Sequence, residues 1–300
     1  MGQPDVSGAS VKIYTQSMNP TLYRRAMSFL STLPYEKVRN VGRTPQQHVL
    51  EVVTEPDADI VVNIDEDAYC TRPESIEDLI RIVRDEGYAL AGMPDGGVIS
   101  HRTLHHPVSV NPYFMVLNTA LIKTKYRPGI EADVDVTSDE VRKLIPHHLM
   151  HDEYAVVNGE PFTQLLVWVA LNFPVLYLDA RNHPDGTTTV LLDREGRPFL
   201  LHTWFSRMYG KWLGHTRRIN ARIMEARTTN PAGRAPGVLT RGAWDARVIA
   251  YKVWCRVQGL LAPLTRGCAS ATLSTLESGT RQPPERQPDV RPEDSANREG

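Results

Sequence analysis

The sequence predicts an α/β fold: a doubly wound, mostly parallel sheet flanked by helices, with a basic helical C-terminal extension. Three observations carry that prediction. Short β-branched runs, above all Ile60-Val-Val-Asn-Ile64, read as strands buried on both faces. Segments with helical apolar spacing separate them, giving the order β-α-β-α-β-α-β-loop-β. Beyond Ser206 the composition turns basic, with twelve Lys and Arg against two acids up to Arg266.

Val11–Thr15 alternates as a first strand, and Gln16–Pro20 has turn chemistry. Asn19 or Thr21 caps a helix through Leu22, Ala26, Phe29, Leu30 and Leu33, which Pro34 ends. Tyr35–Val41 offers a second strand, and Thr44-Pro45 opens a helix that feeds the strand at 60–64. Pro73 begins the next helix, with Ile76, Leu79, Ile80 and Val83 on one face. Tyr88–Met93 and Asn111–Asn118 are further strands around a Gly-rich turn at 94–97. Residues 124–158 look like a polar surface excursion. Glu160-Pro161 places proline at the start of a helix through Leu165, Leu166, Trp168 and Val169. Val175–Leu178 is a strand, and Val190–Arg197 a hairpin around Glu195-Gly196. Ala243–Leu261 is an amphipathic helix with basic flanks, able to lie on an anionic membrane surface or to pack on its own domain.

Composition narrows the function classes. A hydrophobic fraction of 41% and a net charge of −1 fit a globular protein with no global field for nucleic acid, and no reader motif is present. Cys70, Cys255 and Cys268 are too few and too scattered for a disulfide framework or a cysteine metal site. The N-terminus lacks the basic and apolar regions of a signal peptide, and Val6 stands where myristoylation needs Ser or Thr. These features predict a cytoplasmic protein, peripheral on the inner membrane surface if residues 243–261 bind lipid.

Chemistry concentrates at Asp65-Glu66-Asp67, directly after the β-branched strand at 60–64. Open α/β sheets bind ligands at the carboxyl ends of their strands. An extended backbone would point Asp65 and Asp67 the same way, so the pair could share a divalent cation that relieves their repulsion. A solvated acidic loop is the simpler alternative.

With that motif in place, residues 11–209 resemble a nucleotide-sugar glycosyltransferase of the GT-A fold. Four matches in order carry the resemblance: Val11–Ser17, Ile60–Asp67, Asn111–Asn118 and a late strand bearing His202. It implies that Asp65 and Asp67 hold Mn²⁺ or Mg²⁺ against the diphosphate of a nucleoside-diphosphate sugar, with His202 as a further ligand. It also implies nucleotide contacts from Tyr14, Thr15 and Gln16, donor contacts from Asn118 and Arg207, and a hydroxyl-bearing acceptor. An inverting enzyme needs a base, for which Asp152 and Glu160 stand as candidates; a retaining one does not. The expected organisation is a disordered leader at 1–10, a nucleotide and metal half at 11–123, an acceptor half at 124–209, the basic extension at 210–266 and a disordered tail at 267–300.

Three rivals remain. A haloacid-dehalogenase-type phosphatase also carries Asp-x-Asp after a strand, but Tyr69 stands where Thr or Val is usual, and the motif comes late in the chain. A non-catalytic sugar-binding protein would have lost the metal site, whose residues are present here. His147 and His151, four apart, are compatible with zinc, but no Glu follows the first histidine.

Overall fold

The computed structural model describes residues 8–234 and the single helical position 253. The expected amphipathic helix at 243–261, the C-terminal tail and most of the N-terminal leader lie outside the described residues. The elements in order are β1 (Val11–Gln16), α1 (Pro20–Ser28), β2 (Glu36–Asn40), α2 (Pro45–Val53), β3 (Ile60–Ile64), β4 (Ala68–Cys70), α3 (Pro73–Asp85), β5 (Leu90–Pro94), β6 (Val110–Asn118), α4 (Thr119–Lys123), α5 (Asp139–Arg142), α6 (Thr163–Asn172), β7 (Val175–Tyr177), β8 (Ala180–Asn182), β9 (Thr189–Leu192), β10 (Pro198–His202) and α7 (Leu213–Thr229). No helix among the described residues is long and apolar enough to cross a membrane.

Local chemistry accounts for the helix starts. The Asn19 side chain accepts from the Thr21 and Leu22 amides, and Thr44 forms a capping box with Gln47. Proline stands in the first turn of α1, α2 and α3, where its missing N–H costs no helical bond.

The main sheet has six strands in the order β2-β1-β3-β6-β5-β7. It is mostly parallel: β1 runs parallel to β2 and β3, and β5 to β7, while β6 lies antiparallel to both β3 and β5. The reversal of β6 departs from the simple doubly wound expectation. No long helix separates β5 from β6, only a loop with one 3₁₀ turn, and without a crossover the chain returns antiparallel. A second sheet, β4-β10-β9-β8, is antiparallel throughout.

Strand alternation sorts the apolar side chains of β3 into two cores. Ile60, Val62 and Ile64 pack with α1, α3, α7 and the second sheet; Val61 packs with Val49 and Val53 of α2 and Leu166 and Val169 of α6. Two expectations change here. Helix α6 begins at Thr163, leaving Glu160 in the turn before it, because the Glu160 carbonyl and the Thr163 side chain close that turn onto each other's amides. The segment 124–158 is more than an excursion: Val136, Val141 and Ile145 bury against Val167 and Ala170 of α6.

Asp185 closes the β8–β9 turn. Burial alone would raise its pKa, but the amides of Thr188 and Thr187 and the Thr188 hydroxyl outweigh burial and hold it at about 2. A depressed carboxylate stabilises the fold above its unfolded pKa and loses that contribution as pH falls through the folded value. Asp185→Asn should therefore cost about 1–2 kcal/mol at pH 7, and far less near pH 2, in urea unfolding at the two pH values.

Candidate active site

Two acidic clusters stand at the C-terminal edge of the main sheet, where β3 and β5, running the same way, both end. The first follows β3. Residues 65–67 form a tight turn instead of an extended run: the Ala68 amide bonds back to the Asp65 carbonyl at 3.1 Å. The turn leads into β4, whose pairing with β10 sets His202 opposite Ala68. The amide and hydroxyl of Thr203 both donate to the Asp67 carbonyl at 3.0 Å and clamp the turn from the far strand.

The second sheet thereby delivers an imidazole to the acids. His202 Nε2 lies 3.2 Å from Asp67 Oδ1 and 3.8 Å from Asp65 Oδ2, and one donor atom from each residue lies within 4.8 Å of the other two. Burial, then the Asp67 and Glu66 charges, push the Asp65 carboxyl well above its usual range. Two carboxylate oxygens and one imidazole nitrogen suit Mn²⁺ or Mg²⁺, with the nitrogen favouring Mn²⁺. Glu66 is not part of this set. Its carboxylate accepts from the Ser17 hydroxyl and the Asn19 amide, both at 2.7 Å, which pins the β1–α1 turn to the acidic turn.

Aromatic rings wall the imidazole. Tyr113 stacks on His202 at 4.2 Å between centroids and 12° between planes, and Trp204 covers it at 4.1 Å. Trp204 and Phe205 have φ of 52° and 60°, the left-handed region that non-glycine residues avoid. Arg218 of α7 holds this bend by donating to the carbonyls of Thr203 (2.5 Å) and Trp204 (3.3 Å). His101 meets Trp204 edge-on; burial, then the charges of His202 and Arg102, lower its pKa to about 4, so it is neutral at pH 7.

The second cluster follows β5. Asp95 is fully buried and accepts at Oδ1 from Arg102 (2.6 Å) and from the Asn111 amide group. Arg102 also reaches Glu160 at 3.0 Å, and its guanidinium lies 5.5 Å from the Trp204 ring centre. Gly96 permits the close approach of residues 95–97 to His105: a Cβ there would stand 2.0 Å from the His105 carbonyl oxygen.

The predicted contacts fare unevenly. Asn118 is corrected: β6 runs backward, pairing Asn118 with Ile60 at the opposite edge of the sheet, where its side chain caps α4. Asn111, at the other end of β6, reaches the acids instead. Tyr14 donates its hydroxyl to Glu55 within the α2-side core, and Thr15 is fully buried against Met27. Gln16 bonds to the Arg43 carbonyl at 2.7 Å. Arg207 is exposed on the turn 206–208, one residue past Ser206, which also bonds to Glu66. Asp152 is half-buried, with its amide bonded to the Gly97 carbonyl beside the second cluster. His147 is exposed and His151 pairs with Asp179; the described residues bring no zinc set together there.

Sequence reasoning missed Asp95, Arg102 and His105. Asp95 follows a buried strand as Asp65 does, which is the signal that could have found it. A cavity of about 630 Å³, lined by residues including Arg72, Arg181, His183 and Glu225, contains none of these acids.

No protein-family model matches the chain, and no curated protein matches it. Among solved structures it is similar to A197 from STIV, at 11% identity over 64% of this chain and 93% of that one, with a TM-score of 0.36. It is also similar to a glycosyltransferase involved in the glycosylation of the major capsid of PBCV-1 (8% identity, 48% and 79% covered, TM-score 0.27). A third is the mannosyltransferase PcManGT from Pyrobaculum calidifontis in complex with GDP-Man and Mn²⁺ (10% identity, 89% and 81% covered, TM-score 0.35). At such low scores the functional reading rests on the site's own geometry.

A raised carboxyl destabilises the native state as pH climbs from its unfolded pKa toward its folded one. Asp65→Asn should therefore stabilise the metal-free protein at pH 7, and the gain should vanish near pH 3. Denaturant midpoints in the presence of chelator at the two pH values check this; a less stable variant at pH 7 would contradict the crowding.

Proposed function

We propose that the protein is a metal-dependent glycosyltransferase that moves a sugar from a nucleoside-diphosphate donor to an acceptor hydroxyl. The observation that carries the reading is the convergence of Asp65, Asp67 and His202 at the end of β3. Bound there, Mn²⁺ or Mg²⁺ would supply positive charge to the diphosphate as it leaves.

The remaining roles fall to the chain's own groups. Asp65 and Asp67 offer carboxylate oxygens, and His202 offers Nε2. Thr203 and Glu66 fix the turn that aims them. Tyr113 and Trp204 keep water from the faces of the imidazole. Arg207, exposed beyond the wall, would meet a phosphate in this reading, and Gln16 is the candidate from β1 with partial exposure. If configuration inverts, a carboxylate must take the acceptor proton. Glu160 is paired with Arg102, whereas among the described residues the Asp152 carboxylate accepts only from the neighbouring Glu153 amide, so Asp152 is the freer base.

Mn²⁺ together with the matching nucleoside diphosphate should raise the Tm by several degrees, and Asp67→Ala should abolish the rise. Slow release of nucleoside diphosphate from one member of a panel of sugar donors should accompany it. A protein whose Tm responds to no nucleoside diphosphate, with or without Mn²⁺, is not this enzyme; phosphate release from a generic phosphoester would point to the phosphatase.

A further inference from the structure

The second cluster contains atoms that the fold leaves without partners. Asp95 is fully buried, yet its Oδ2 accepts no hydrogen bond. His105 Nδ1 is likewise buried and unpartnered. The two orphans face each other at 3.8 Å, too far for a hydrogen bond, and Glu160 Oε1 lies 3.8 Å from the same nitrogen. One donor atom from each of the three residues lies within 4.8 Å of the other two. Leaving a carboxylate oxygen and an imidazole nitrogen buried and unbonded is costly, and one ion between them would satisfy both.

We propose that Asp95, His105 and Glu160 form a second divalent-metal site, distinct from that of Asp65, Asp67 and His202 and selective for Zn²⁺ over Mg²⁺. The groups around it already act as outer-shell partners act: Arg102 and Asn111 hold Asp95 through Oδ1 and leave Oδ2 aimed inward, and Arg102 also orients Glu160. Arg102 sets the selectivity as well. Its charge offsets one of the two carboxylates, which weakens the site for a cation held mainly by charge. Zn²⁺ retains the gain from the imidazole nitrogen, a ligand Mg²⁺ does not favour. The ion would tie together the 95–97 turn, the 101–106 loop and the turn before α6, three segments that Arg102 also joins.

The proposal does not depend on sugar transfer, and its test needs no substrate. The Asp65→Asn/Asp67→Asn double variant of the full chain removes the first site. After chelator treatment it should still bind one Zn²⁺ per chain in equilibrium dialysis, bind Mg²⁺ far more weakly, and gain Tm on Zn²⁺ addition. Adding His105→Ala, a change at a partly exposed ring, should weaken Zn²⁺ binding by about tenfold or more and remove the gain in Tm. Adding Arg102→Met instead should tighten it, provided the variant keeps its cooperative melt. Zn²⁺ binding that is absent from the double variant, or unchanged by His105→Ala, overturns the site; the second result would assign the ion to a surface pair such as His151 and Asp179.

Discussion

Much of the site's arrangement follows from β6 running against β3 and β5. Because β6 is inserted between two strands of the opposite sense, it starts at the edge of the sheet where β3 and β5 both end. The acids after β3 and the acid after β5 therefore flank the start of β6, where Asn111 and Tyr113 sit. The Tyr113 carbonyl accepts the Asp65 amide at 2.9 Å, its ring supports His202, and Asn111 reaches across to Asp95. A parallel β6 would have put Asn118 at this edge instead and left the two acidic turns without a shared floor.

Crowding carboxylates at one edge carries an electrostatic penalty, and the two clusters meet it differently. In the first, the nearest basic group is an imidazole, and the Asp65 carboxyl remains pushed up by burial and by its neighbours. In the second, Arg102 pairs with both Asp95 and Glu160. A site that stays short of positive charge is one prepared to gain it from a ligand. Glu66 shows that acidity alone does not make a ligand, because its hydrogen bonds turn it toward the β1–α1 turn.

How much of this could be read from the sequence follows the range of each interaction. The strands of the main sheet and the starts of α1, α2 and α3 were legible because alternation, capping residues and prolines act locally, whereas β4, β8, α4, α5 and the bounds of α7 were not read. That Asp65, Asp67 and His202 come together was legible through a family resemblance, not through spacing, since 135 residues separate Asp67 from His202. Most of the misreadings are long-range. Whether Asn118 or Asn111 faced the acids depended on the direction of β6, which nothing within the strand encodes. Tyr14 looked available because its partner, Glu55, lies 41 residues away on the far side of α2. Glu160 looked like a helix acid because Pro161 is a good first helical residue, but the turn closed by Thr163 delays the helix.

The bend after His202 ties the basic composition of α7 to the site. Two consecutive left-handed residues, Trp204 and Phe205, together cost a few kcal/mol unless something holds them. The holder is Arg218, whose guanidinium binds the two carbonyls exposed by the bend and is itself half-buried there. Without the bend, β10 would run on past the acids and Trp204 would leave the imidazole face. Part of the basic character of the segment after Ser206, which the sequence read as a helical extension lying on a membrane or packing on its own domain, therefore shapes the wall around His202. Since Trp204 also lies under Arg102, the same bend links the two acidic clusters: an arginine of α7 sets the ring, and the ring lies against the arginine that orients Asp95 and Glu160.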